Sequence, residues 1–150
     1  MVTTVGTEND LKALVKSFIQ LEHDAIAAYE TCIDRLEAPN RKEKVREFLG
    51  DHERHLRELE DLAREVGAYD PGGGDMKEVL TTSKVKLAGM TGGDGAVLKA
   101  MSSNETDTVT AYGRGSESSV VEPAHRELFQ RAHEDERRHK EWMEAEAQAA

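Results

Sequence analysis

The pentapeptide Asp51-His52-Glu53-Arg54-His55 (DHERH) returns 84 residues later as Asp135-Glu136-Arg137-Arg138-His139 (DERRH). The copies share Asp, Arg and His, and differ where His52 and Glu53 stand against Glu136 and Arg137. Each copy lies on a seam with alternating three- and four-residue spacing. One runs Val45, Phe48, His52, His55, Leu59, Leu62, Val66, and the other Phe129, Ala132, Glu136, His139, Met143. That spacing is the buried stripe of an α-helix, so the repeated peptide sits on two helices with its His residues facing inward.

Upstream of each copy is a matching seam. Leu11, Val15, Phe18, Glu22, Ala25, Tyr29, Cys32 and Leu36 form one, and Leu98, Met101, Glu105, Thr108 and Tyr112 the other. Glu22 precedes Tyr29 by seven residues, as Glu105 precedes Tyr112, and the two pairs are 83 residues apart. Asp24 and Asp107 correspond at the same offset. The chain therefore reads as one helical hairpin used twice, all-α, with helices over about 8–37, 40–67, 95–114 and 122–147 in one 1–150 domain. Ala38-Pro39-Asn40 breaks the first pair, with Asn40 able to cap a new start, and Gly67 stops the second helix. The third helix is expected to fray near Gly113-Arg114-Gly115, and Pro123 suits a first turn. Between the hairpins a crossover over 68–94 carries turns at 71–75 (PGGGD) and 89–95 (GMTGGDG). The stretch between them, MKEVLTTSKVKLA, reads as a short helix lying across the bundle.

Composition narrows the partners. A formal charge of −10 and no Lys/Arg block argue against a phosphate backbone as ligand. No apolar run approaches the roughly 20 residues of a membrane span. The start MVTTVGTENDLKALVK lacks the basic opening and apolar stretch of a signal peptide, and Cys32 is the single cysteine, so a reducing cytoplasm is expected. No nucleophile–base motif or phosphate-binding glycine loop occurs.

Antiparallel geometry makes the polar seam residues converge. Glu22 and the His52/His55 pair are equidistant from position 38, and Glu105 and the Glu136/His139 pair from position 121, at the two expected turns. Glu22, His52, His55, Glu105, Glu136 and His139 should then meet in one layer. Burying three carboxylates and three imidazoles together costs several kcal/mol per unpaired ion, roughly, and a divalent metal would offset that cost. Carboxylate with imidazole suits iron, manganese or zinc. Tyr29 and Tyr112 could donate hydrogen bonds to ligating carboxylates, and Asp51 and Glu53 flank the site. His23, His125 and His133 lie off the layer and read as surface residues, Cys32 as a small core residue, and the charged stretches, Arg137-Arg138 among them, as solvated faces. The bland alternative is a buried ion-pair network without metal.

The arrangement resembles the ferritin-like superfamily, particularly its rubrerythrin and bacterioferritin branch, whose pattern is a Glu on helix 1, Glu-x-x-His on helix 2, a Glu on helix 3 and Glu-x-x-His on helix 4. LEHDAIAAYE with Glu22 and Tyr29 looks like the first-helix motif, Glu105 fills the helix-3 place, and DERRH supplies Glu136 and His139. The resemblance implies a ferritin-like antiparallel four-helix bundle. It also implies iron as the first choice of metal, with dioxygen or peroxide as co-reactants, ferrous oxidation or peroxide reduction as the reaction, and pairing into a homodimer. One cysteine cannot build a rubredoxin-type iron site. His52 stands where that family usually has a metal-bridging Glu, so a di-metal site in altered form and a mono-metal site both fit. A non-catalytic stress or scaffold module with a structural or vestigial site is the other class of function.

Overall fold

Asp10 opens the first helix, α1 (Leu11–Arg35), its carboxylate accepting a hydrogen bond from the Ala13 amide at 2.9 Å. The computed structural model describes residues 3–70 and 86–150. After a three-residue turn, α2 (Pro39–Val66) begins with Ala38 as its N-cap and Pro39 in its first turn. Asn40 is therefore inside the helix and does not cap it: a proline needs no amide partner at the first position, which moves the start forward. Gly67 ends α2 with φ +74°, the left-handed conformation that glycine adopts without steric cost.

The third helix, α3 (Asp94–Glu117), runs through the Gly113-Arg114-Gly115 stretch where fraying was expected. Gly115 is there for packing. A Cβ at this position would lie 2.7 Å from the Phe129 ring and 3.1 Å from that of Phe18. The fourth helix, α4 (Pro123–Ala149), starts at the proline. Among the described residues no strand occurs, and residues 86–88 are also helical. The PGGGD turn and most of the helix expected between the turns lie outside the described residues.

The helices form an all-α bundle. α1 packs on α2 and α3 on α4 as hairpins, and the hairpins meet through α1 with α3 and α2 with α4. Gly6, just before α1, touches Arg114 near the end of α3, and Glu37, just after α1, is bonded to Asp94 at the start of α3. Likewise Arg41 reaches Glu146 and Arg131 reaches Glu58. Facing helices are thus antiparallel throughout, so α2 and α3 run the same way. The crossover must span the bundle, about 42 Å for 28 residues at about 1.5 Å each. Its two described ends agree: Ala68 packs into the core at one end and Leu87 into the core at the other.

Two apolar cores flank a polar layer. One gathers Leu14, Phe18, Leu59, Leu62 and Phe129, and the other Cys32, Leu36, Phe48, Leu98 and Met143. Asp94 ties the second end together, accepting from the Glu37 and Ala38 amides at 2.7 and 3.1 Å and from Arg41 at 3.1 Å. The layer between the cores is the candidate site.

Candidate metal centre

All six polar seam residues lie in that layer, each no more than 1% exposed. Each helix contributes one inward carboxylate or imidazole face, because the i to i+3 spacing of His52/His55 and Glu136/His139 aims both side chains at the same point. His52 Nδ1 lies 2.7 Å from Glu22 Oε2 and 3.5 Å from Glu136 Oε1, while its Nε2 lies 3.8 Å from Glu105. His55 Nδ1 sits 3.3 Å from Glu22 and 3.4 Å from Glu136. On the other side, His139 Nδ1 sits 3.6 Å from Glu136 and 3.9 Å from Glu105.

These donors fall into two groups, each with its ligand atoms within 4.8 Å of one another: Glu22, His52, His55, Glu136 and His52, Glu105, Glu136, His139. His52 and Glu136, the corresponding positions of DHERH and DERRH, belong to both.

Around the layer the two halves clasp each other reciprocally. His55 Nε2 bonds Asp135 and His139 Nε2 bonds Asp51, both at 2.8 Å. Arg54 in turn holds Asp135, and Arg138 holds Asp51 at 2.9 Å. The shared Asp, Arg and His of the pentapeptide are thus one device: the Asp of each hairpin orients the His of the other, and the Arg anchors that Asp. With Nε2 bonded to a carboxylate, each imidazole presents Nδ1 to the layer. Tyrosines cross over in the same sense, Tyr29 donating to Glu105 and Tyr112 to Glu22, each to the Glu of the opposite hairpin.

Asp135 lies off the seams and Thr108 on one of them, and neither was given a role from the sequence. Asp135 was legible as the counterpart of Asp51. The Thr108 hydroxyl lies 2.9 Å from Glu136 and 3.1 Å from Glu105, and nothing in its helical spacing separates that role from core filling. Arg138, read as surface charge, and Arg54 join the layer's edge. Glu53 is exposed and belongs to neither group. His23, His125 and His133 are half-buried, not fully exposed, and stay outside both groups.

A family model described as a domain of unknown function (DUF2383) matches residues 9–118. The chain belongs to the DUF2383 family. The DUF2383 match takes in Glu22, His52, His55 and Glu105 with both tyrosines, and stops before the helix that carries Asp135, Glu136 and His139. No curated protein and no solved structure matches the chain.

The electrostatics of this DUF2383 site follow from burial working against close pairing. Burial opposes charge on His52, but Glu136 and Glu22 beside it raise its pKa well above the ordinary value. His55 is raised to about 11 against burial by Asp135, Glu136 and Glu22, and His139 is raised by Asp51 and Glu136. Burial alone would lift Glu22 and Glu136, yet the imidazoles hold both below the usual carboxylate range. Glu105 goes the other way: burial and the Glu136 charge push it up to about 7. Burial and the neighbouring carboxylates also raise Tyr29 and Tyr112, keeping both hydroxyls as donors. Two buried atoms in the layer have no hydrogen-bond partner, His52 Nε2 and Glu136 Oε1. Both belong to residues common to the two groups. Orphaned atoms of this kind, in a set made only of carboxylate oxygens and imidazole nitrogens, are what a divalent cation would satisfy.

Proposed function

We propose that this chain is a ferritin-like, non-haem metal protein that binds one or two divalent transition-metal ions, iron foremost, between its two hairpins. The observation that carries this reading is the pair of donor groups sharing His52 and Glu136, whose orphaned atoms face the layer. Glu22, His55 and Glu136 would hold one ion, and Glu105, His139, Glu136 and His52 the other. His52 sets the difference: Nδ1 is spent on Glu22 at 2.7 Å, so a neutral imidazole offers Nε2 to the Glu105 side. Four donors on one side and three on the other favour stepwise loading, with a single-ion form as its first stage.

A redox-active ion held there would supply electrons to dioxygen or peroxide, making ferrous oxidation or peroxide reduction the reaction class. This chain's residues would orient the imidazoles through Asp51 and Asp135, keep the carboxylates in place through Tyr29, Tyr112 and Thr108, and keep bulk water out with the two apolar cores. Aerobic titration of the metal-free protein with ferrous ion tests the reaction. Oxygen consumption above the buffer rate, saturating at a fixed ratio of iron to chain, is expected; consumption at the buffer rate would sink the catalytic reading.

A structural or vestigial site is the second reading, favoured by how fully the imidazoles pair the carboxylates without metal. In its vestigial form it requires a thermal midpoint indifferent to added iron, manganese or zinc.

A further inference from the structure

The two hairpins are related by sequence, but the paths to their halves of the centre are not alike. On the Glu22 side, Phe18 packs on Tyr112 with ring centroids 4.8 Å apart and on Phe129 at 5.1 Å. Gly115 lets those rings close in, since a Cβ there would collide with Phe129. The N-terminal segment lies over α3, held by Arg114 on the Thr3 carbonyl at 2.6 Å and the Val5 carbonyl at 3.3 Å, and its Thr3 and Thr4 line the cavity on the other side. Aromatic rings fill that half.

On the Glu105 side the corresponding positions differ, and an unbranched thioether replaces an aromatic ring. Met101 takes the place of Phe18, at the 83-residue offset, and Cys32 the place of Gly115. A cavity of about 310 Å³ opens there between α1 and α3. Ala25, Ala28 and Met101 are among its walls, and the buried Tyr29, Glu105 and Thr108 reach it from the layer. The half-buried Asp24 and Asp107 also line it and stand nearer solvent. Its volume is that of about ten waters at roughly 30 Å³ each, enough for a small molecule with hydrating waters.

We infer that this α1/α3 cavity is the pocket through which a small uncharged ligand, of dioxygen or peroxide size, reaches the Glu105–His139 half of the centre alone. Three features carry it: the cavity meets Glu105, an aromatic plug fills the equivalent place in the other half, and carboxylates at the outer edge disfavour anions. It rests on the metal-centre reading above and deepens it by naming the side of approach. Ala28 and Met101 set the width of the passage, because both present apolar surface to the void and neither is one of the six polar residues.

The test uses the metal-free chain, so its failure is separable from failure of metal binding, which metal content reports independently. Dissolved dioxygen is paramagnetic and speeds relaxation of the methyl groups it visits. Under oxygen pressure the Ala25, Ala28 and Met101 methyls should relax several-fold faster than the Ala111 and Ala132 methyls of the half that the aromatic rings fill. Ala28→Leu should abolish that excess at Ala25 and Met101. Met101→Phe, which copies the Phe18 plug, should do the same at Ala25 and Ala28, so the result stands even if one variant fails to fold. Azide, a small anion, should leave these resonances unshifted. Equal relaxation in both halves, an excess that survives whichever variants fold, or azide shifts localised to the cavity would overturn the inference.

Discussion

Replacing His52 by Glu gives the first pentapeptide the carboxylate that its second copy has at Glu136, and should make the protein dependent on metal. In the present chain the buried His52 is raised well above its ordinary pKa and stands 2.7 Å from Glu22, 3.5 Å from Glu136 and 3.8 Å from Glu105. His52→Glu removes that cation and adds a fourth carboxylate within the layer, leaving His55 and His139 to balance it. Breaking a buried pair so that charge is left uncompensated costs about 3–5 kcal/mol. At about 2–4 °C per kcal/mol for a chain of this size, the metal-free variant should melt roughly 6–20 °C below the parent near neutral pH. Protonation of the new carboxyl relieves the repulsion, so the gap should narrow as pH falls toward 5, roughly where carboxyl groups titrate. Added manganese, ferrous iron or zinc should reverse the sign, raising the midpoint of the variant by more than that of the parent. Thermal unfolding followed by circular dichroism, with and without chelator, reads both effects. A metal-free variant as stable as the parent would refute the idea that His52 holds the layer's negative charge. A variant no more responsive to metal would refute the idea that residue 52 stands between the two donor groups.

Other outcomes follow from the same contacts. Asp51→Asn and Asp135→Asn leave the six inward residues untouched but remove the carboxylates that orient His139 and His55; metal affinity by competition with a chromogenic chelator should fall about 10–100-fold in each. Without metal, stability should be highest on the acid side of neutrality. His52, His55 and His139 have raised pKa values, so their contribution is complete below about 6.5 and fades as pH climbs through the folded values, to about 11 for His55. Glu105, raised to about 7, adds stability below about 4.5 that is lost over the interval between. Glu22, Glu136, Asp51 and Asp135 are depressed, and their contribution disappears as pH drops below about 4. Denaturant midpoints across pH check this, and a chain most stable above pH 8 would contradict it. Asp94→Ala leaves the Glu37 and Ala38 amides and Arg41 without their acceptor; it should cost about 2 kcal/mol with metal binding unchanged.

The fold was legible because the seams are strongly periodic and the chain shows them twice. Equidistance from two turns was enough to bring Glu22, Glu105 and the four residues of the two pentapeptides to one height. Helix ends were less legible. Gly113 and Gly115 read as a fraying signal from local propensity, whereas Gly115 answers to two phenylalanines far away in the sequence. The pentapeptide itself was half-read. Its His and Glu followed the seam, but Asp135, Arg54 and Arg138 sit off the apolar stripe, where charge normally means solvent. Only the pairing of α2 with α4 shows that each Asp serves the opposite hairpin's imidazole. Thr108 and the cavity depend on side-chain volumes in three dimensions, which spacing along one helix does not encode.

The claim that everything else rests on is that the six buried residues hold metal. The direct measurement is elemental analysis of the native protein, purified without chelator, beside Glu136→Gln, which alters the carboxylate common to both donor groups. The account predicts one or two transition-metal ions per chain in the parent, with iron foremost, and a marked loss in the variant. A parent free of stoichiometric metal that takes up none on incubation, or a variant that binds as well as the parent, would contradict it.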